Sequence, residues 1–250
     1  MSAPLVEARR EGAVSVLVLN RPEKLNALSS ALESELQDAL ASEAVRSSAC
    51  VVIAGSGRAF SAGADITEFA ERTPEAILEY YRTTGGVYEQ VAALPQPTLS
   101  AVHGYCLGGG LELALATDFR IADETAVFGF PEVGLGILPS SGGTARAARL
   151  LGPARAKGLI LLGGRLSAAE ALAAGLVTEV VGAGRARERA LELARGLAAL
   201  PPAAVAVAKQ AIDAVSGGSH EAALLIERLA YGLLAQTAAA RGAADEFGGS

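Results

Sequence analysis

Between Thr98 and Thr117 the chain runs through twenty residues with one charged side chain, Glu112, and three consecutive glycines, Gly108 to Gly110. Ser100, His103, Glu112 and four glycines make this poor material for a membrane span. It reads instead as buried core: an apolar strand from Thr98 to His103, a glycine loop, and the short helix LELALAT. Leu111, Leu113, Ala114 and Leu115 leave that helix apolar nearly all round, so the helix is buried. Three glycines ahead of a helix bring bare backbone N–H groups against a ligand, at the end of the helix that favours negative charge.

The rest of the chain fits around this segment. Leu5–Arg9 and Ala13–Leu19 predict two strands with a tight turn at Glu11-Gly12, and Cys50–Ala54 a strand buried on both faces. The spacing of Leu32, Leu36, Ala39 and Leu40 predicts one amphipathic helix through ALESELQDALASEAV, with Ser30 as cap and Glu33 three residues on. A loop, GSGRAFSAGAD, follows Cys50–Ala54, and a helix is expected over Glu75–Ala93, stopped by Pro95 and Pro97. DFRIAD and AVFGF read as strands. From Ser141 the chain is mostly helical: 142–151, 153–162, 167–173, 185–200, 202–215 and 220–239. The class is α/β with a helical appendage from about Pro201, without a fixed-period repeat.

Composition excludes several functions. With 51% hydrophobic and 19% charged residues the 250-residue chain is a folded globule, sized for one large domain. Net charge −6, with Lys24, Lys157 and Lys209 the only lysines, is the wrong sign for a nucleic-acid binder. Cys50 and Cys106 supply neither a disulfide framework nor a metal-binding spacing, so no metal is expected. MSAPLVEARREG lacks the apolar core of a secretory leader, which makes the cytoplasm the expected compartment. There is no Walker A pattern, GSGRAF lacks the last glycine of GxGxxG, and neither GxSxG nor a partner for His103 or His220 is present.

Two isolated carboxylates remain. Glu112 reads either as a buried acid tuned for proton transfer or as a complement to its helix N-terminus. Glu132, the one charge between Glu124 and Arg146, reads as its counterpart or as a solvated loop acid. Together they suit a reaction in which one carboxyl accepts a proton and the other donates.

Five blocks then resemble the enoyl-CoA hydratase/isomerase, or crotonase, family: NRPEKLNAL (Asn20–Leu28), AFSAGADI (Ala59–Ile66), HGYCLGGGLELALATD (His103–Asp118), FGFPEVGLGILPSSGGT (Phe128–Thr144) and LSAAEALAAGLVTEVV (Leu166–Val181). They stand in family order across roughly Arg9 to Ile212. The resemblance implies a crotonase-like spiral of ββα units over residues 1–200, with the active site, and a helical C-terminal trimerisation region over 201–250. It implies acyl-CoA thioester substrates and a homotrimer or dimer of trimers, with no cofactor beyond the coenzyme A of the substrate. Ala64 and Gly109 match the backbone donors that hold the thioester oxygen, and Glu112 and Glu132 the hydratase acids. Lys24, Leu25 and Ala27 match the loop at the adenine end of CoA; Ala62, Asp65 and Ile66 flank the thioester pocket. Phe69, Tyr80, Tyr81 and Tyr88 lie where the family often lines its acyl pocket, or serve as packing aromatics. Two departures stand out: Ala145 where Gln often follows GGT, and a tail reduced to DEFGGS without its usual basic residues.

Both acids favour reversible hydration of a 2-trans-enoyl-CoA. The alternatives are a Δ3,Δ2-enoyl-CoA isomerase, which commonly keeps the acid at the Glu132 position alone, or another acyl-CoA-processing branch. An RNA-binding relative would need a lysine-rich helix, which is missing, and a catalytically dead scaffold would have lost one of the acids.

Overall fold

A computed structural model describes residues 3–68, 73–215 and 219–248. The β-branched runs form a hairpin, β1 (Val6–Glu11) and β2 (Val14–Leu19), turning at Gly12, whose φ of +65° suits a residue without a Cβ. Four further strands, β3 (Cys50–Gly55), β5 (Thr98–Val102), β7 (Phe119–Asp123) and β10 (Glu179–Val181), extend it in parallel to a six-stranded sheet. Its order is β1-β2-β3-β5-β7-β10. A second sheet holds β4 (Ala59–Ser61), β6 (Tyr105–Leu107), β8 (Val127–Gly129) and β9 (Arg165–Ser167), in that order, with only the β8/β9 pair antiparallel.

Three successive strand pairs, β3–β4, β5–β6 and β7–β8, each place their first strand in the large sheet and their second in the small one. This is the spiral of ββα turns that the resemblance implies. Its repeat has no sequence period because the segments between strand pairs differ in length from turn to turn.

The apolar runs are continuous because the large sheet is covered on both faces. Val16, Val18, Val52, Leu99 and Ile121 pack with Ala190 and Ala194 of α9 (Ala186–Ala198). Leu17, Leu19, Val51, Ile53 and Val102 point the other way, into a core shared with Leu32 and Leu36 of α1 (Ser30–Ala41) and Leu111 of α5 (Gly109–Ala116).

Three expected helices are broken, two of them before β5. The first stops at Ala41, and Ser42 in extended conformation caps a separate turn, α2 (Glu43–Arg46). Its cap is Ser29, whose Oγ accepts from Leu32 N at 3.2 Å, whereas Ser30 donates through N and Oγ to Glu68 at 2.9 and 2.8 Å. The second divides into α3 (Pro74–Arg82) and α4 (Val87–Ala92), because Thr83 leaves the helical region at φ −113°, ψ −109° and a 3-10 turn through Gly85 and Gly86 follows, two residues of low helix propensity. Strands β4, β6, β9 and β10, three residues each, were not expected, since so short a run carries no periodicity.

The remaining helices are α6 (Gly143–Leu151), α7 (Pro153–Leu161), α8 (Ala168–Ala174), α10 (Pro202–Val215), α11 (His220–Leu234) and α12 (Ala238–Gly248). The stretch expected as one helix over 220–239 breaks after Leu234. Lys209 ties α10 to the core by an ion pair with Asp118 at 2.8 Å and a bond to the Gln96 carbonyl at 3.3 Å. No single helix among the described residues is long and apolar enough to cross a membrane.

Candidate active site

The site forms where successive strands of the small sheet end. After β4 the chain turns through Gly63, at φ +111°, and reaches Ala64; after β6 it turns through Gly108, at φ +49°, and enters α5 at Gly109. A Cβ on Gly109 would lie 3.3 Å from Ala64 N, and one on Gly63 would lie 3.6 Å from Gly109 N. The two N–H groups are thus neighbours, and neither donates to an acceptor among the described residues. Two unengaged amides side by side, one of them at the start of α5, are suited to one oxygen that gains negative charge.

The opposite end of α5 is held by Arg120. This buried guanidinium donates through Nη1 to the Thr117 carbonyl at 2.6 Å and through Nε to that of Leu176 at 2.7 Å. A cation at the helix C-terminus complements its dipole and fixes the axis on which Gly109 and Glu112 sit.

Glu112 is one helical turn from Gly109 and buried. Its Oε1 accepts from Ser141 N at 2.7 Å and Gly143 N at 2.9 Å, at the entry to α6. Burial raises its pKa; the Gly143 and Ser141 amides and the nearby Arg146 charge oppose the rise. Gly143 must be small, for a Cβ there would come within 2.7 Å of Glu112 Cγ.

Glu132, in a 3-10 turn after β8, is buried too, and its Oε2 has no hydrogen-bond partner among the described residues. Its pKa is pushed up to about 7, chiefly by burial and further by the Glu112 charge, against the opposing pull of its own backbone N–H. It borders the glycine loop: a Cβ on Gly108 would stand 2.8 Å from Glu132 Oε1. The carboxyls therefore differ in kind. Glu112 Oε1 accepts from two backbone amides, whereas Glu132 Oε2 has no partner among the described residues and its carboxyl titrates near neutrality, at about 7.

The linkage has a definite sign. From pH 4.5 to about 7 the folded chain keeps a proton on Glu132 that the unfolded chain has lost. Its stabilising contribution is fully present below 4.5 and disappears as pH rises through about 7. Glu132→Gln lacks this dependence, so between about pH 5 and about pH 8 the variant is expected to gain on the wild type by on the order of 3 kcal/mol. Urea unfolding across that range measures it; a pH-independent difference would refute the assignment.

The other residues expected at the site lie on two laced loops. Leu28 N donates to Gly63 O at 2.8 Å, Asp65 N to Leu28 O at 2.8 Å and Ala62 N to Leu25 O at 2.9 Å. Asp65 accepts from Arg21 Nη1 at 2.7 Å and from Thr67, contacts that lower its pKa, the Thr67 hydroxyl most of all. Its side chain thus joins the loops together. Arg21 Nη1 also reaches the Ala27 carbonyl at 3.2 Å, while Lys24 and Ile66 are exposed at the loop surfaces. Tyr80 and Tyr88 are buried, Tyr81 hydrogen-bonds Ser140, and Phe69 lies outside the described residues.

Asn26 escaped the sequence reading. Fully buried at φ +55°, it donates to the Ser56 and Ala59 carbonyls, both at 2.8 Å, and accepts from Arg21 N at 2.9 Å. An asparagine just before an apolar pair is the available signal, since Asn tolerates left-handed backbone. Asn26→Ala strands three backbone groups and is expected to cost about 2–4 kcal/mol, read by chemical denaturation. A loss under about 0.5 kcal/mol would show the loops held by their backbone bonds alone.

Two buried carboxyls beside a pair of unengaged amides are the parts an acid–base reaction next to a developing oxyanion would need. The sequence pattern of the enoyl-CoA hydratase/isomerase family matches residues 9–247. A probable enoyl-CoA hydratase of Rhizobium meliloti is 43% identical over 214 residues, 85% of this chain and 82% of that protein. The 2,3-dehydroadipyl-CoA hydratase of Escherichia coli is 41% identical over 229 residues, 91% and 89% of the two chains. The crystal structure of an enoyl-CoA hydratase from Bacillus anthracis superposes with a TM-score of 0.88 at 39% identity, covering 94% of this chain and 92% of that one. The chain belongs to the enoyl-CoA hydratase/isomerase family and is most like its hydratases.

Proposed function

We propose that the protein is an enoyl-CoA hydratase, adding water reversibly across the 2-trans double bond of an enoyl-CoA to give the 3-hydroxyacyl-CoA. The observation that carries this reading is the unequal pair of acids beside the Ala64 and Gly109 amides. The thioester oxygen accepts from both N–H groups, which draws electron density from the double bond and makes carbon 3 electrophilic. Glu112 takes a proton from water as its oxygen bonds to carbon 3. Protonated Glu132 delivers its proton to carbon 2, and a proton passing back from Glu112 to Glu132 resets the pair. No metal or redox cofactor enters the scheme. Lys24, Leu25 and Ala27 lie toward the adenine end of CoA, and Ala62, Asp65 and Ile66 around the thioester.

Residues 1–200 carry the catalytic spiral in this proposal and 201–250 the assembly surface of a cytoplasmic homotrimer or dimer of trimers. Exposed Ile212, Leu225, Leu229, Tyr231 and Leu233 on the C-terminal helices support burial between subunits. Light scattering should give a mass of three or six chains; a monomer at micromolar concentration removes the assembly reading.

Function is tested by loss of enoyl-thioester absorbance with crotonyl-CoA and by product mass. Gain of one water is expected. A folded protein that adds none to crotonyl-CoA or to a longer enoyl-CoA, yet shifts a 3-enoyl-CoA through Glu132 alone, is an isomerase instead.

A further inference from the structure

The two amides that hold Glu112 belong to a turn with little of its own to fix it. Gly142 and Gly143 are consecutive glycines, Gly142 has φ +95°, and at the start of α6 it supplies no side-chain cap. Such backbone leaves its conformation readily unless something outside anchors it. Arg146, one turn into α6, is that anchor. Its Nη1 donates to the Ser141 carbonyl at 3.0 Å and its Nη2 to Glu89 Oε1, on α4, at 2.6 Å. The guanidinium lies against Gly142, where a Cβ would come within 2.0 Å of Nη1. Ser141 is thus held on both sides, its N–H by Glu112 and its carbonyl by Arg146.

We propose that Arg146 is a positioning residue for Glu112, fixing the turn at Ser141 to Gly143 so that both amides meet Oε1 and Oε2 is left to take the proton. This rests on the hydration reading above and adds a residue to it.

The two carboxylate oxygens of Glu112 are not equivalent. Both amides donate to Oε1, at 2.7 and 2.9 Å, and Oε2 accepts from no group among the described residues. In a slack turn either amide could swing to Oε2 and compete with water for the lone pair that receives the proton. Two other bonds brace the turn, Thr144 Oγ1 to the Pro139 carbonyl at 2.8 Å and Tyr81 to Ser140, but neither touches Ser141 or Gly143. Glu89 is largely exposed, so its bond orients the guanidinium more than it stabilises the fold. Arg146 also brings charge. Around Glu112, α4 presents Tyr88, α3 Tyr80, β6 the buried Cys106 and the turn after β8 Glu132, none of them positive, and β4 has no titratable residue. Arg149, further along α6, acts on Asp213 instead. Arg146 is the cation that opposes the rise in the Glu112 pKa.

Hydrogen–deuterium exchange and kinetics on the full chain test this with Arg146→Met and Arg146→Lys. In Arg146→Met, exchange over residues 139–143 should quicken by about tenfold or more, while Cys50–Gly55 keeps its wild-type rate. With crotonyl-CoA, kcat should fall by about 10- to 100-fold and KM stay within about twofold. The acid limb of the kcat profile, which follows ionisation of Glu112, should move to higher pH. Arg146→Lys keeps the charge but not the fork that reaches two acceptors, so its limb should move less and its kcat fall by under about tenfold. Wild-type exchange over 139–143 in Arg146→Met overturns the positioning role, as does an acid limb that stays in place. So does equal quickening in Cys50–Gly55, which marks general loosening. Should Arg146→Met fail to fold, unchanged exchange in Arg146→Lys overturns it. If exchange over the turn quickens as expected but the wild type adds no water, Arg146 still fixes the turn and the hydratase reading falls. If water is added and exchange does not change, the reverse holds.

Discussion

Glu112→Gln is expected to lower kcat for hydration by about 10³-fold, and Glu132→Gln by a similar factor, with KM for crotonyl-CoA changing little. The fold should survive the first change, because a glutamine oxygen still accepts from the Ser141 and Gly143 amides. What disappears is a group that can take a proton from water. In Glu132→Gln the proton donor is lost from a buried position where Oε2 has no partner among the described residues. The double variant should be little worse than either single one, since the acids act in one proton cycle. Steady-state kinetics with circular dichroism as a folding control decides this; a variant within about threefold of wild-type kcat removes its residue from proton transfer.

Gly109→Ala separates the backbone donors from everything else. The amide remains, but the new methyl would lie 3.3 Å from Ala64 N, in the space the thioester oxygen needs. A fall of about 10² to 10³ in kcat/KM is expected, comparable with losing a single oxyanion donor elsewhere. Stability is expected to fall by about 1–3 kcal/mol, because the new Cβ would stand 3.2 Å from the buried Tyr88 Oη as well as 3.3 Å from Ala64 N. Thermal unfolding and kinetics on one preparation measure both. Full activity in this variant would place the thioester oxygen somewhere other than between Ala64 and Gly109.

Much of the large sheet was readable because its strands are long enough, and buried on both faces, to leave continuous apolar runs such as Cys50–Ala54 and Thr98–Val102. Of the small sheet only β8 was read, in AVFGF: Ala59–Ser61 and Tyr105–Leu107 are three-residue strands inside glycine-rich stretches, formed by pairing across the spiral. Glu112 and Glu132 were visible as lone charges in apolar surroundings. Glu33 was misread for a related reason. It sits among Leu32, Leu36, Ala39 and Leu40 on the buried stripe of α1, but its distance from Ser30 imitates a capping pair. Its true partners, Tyr80 and Tyr88, are 47 and 55 residues away, beyond any local pattern.

Consecutive turns of the spiral each deliver one working part at the same place, just past the small-sheet strand: Ala64, Gly109 and then Glu132. In the proposed hydration the first two act through main-chain atoms, the third through a side chain. Mutation touches these unequally. A codon change that alters a side chain leaves an amide N–H in place unless it introduces proline or crowds the site. On the proposed mechanism, descendants of such a gene can therefore exchange their proton carriers one turn at a time while inheriting the backbone donors intact, so a new reaction can arise without first losing the old grip on the substrate.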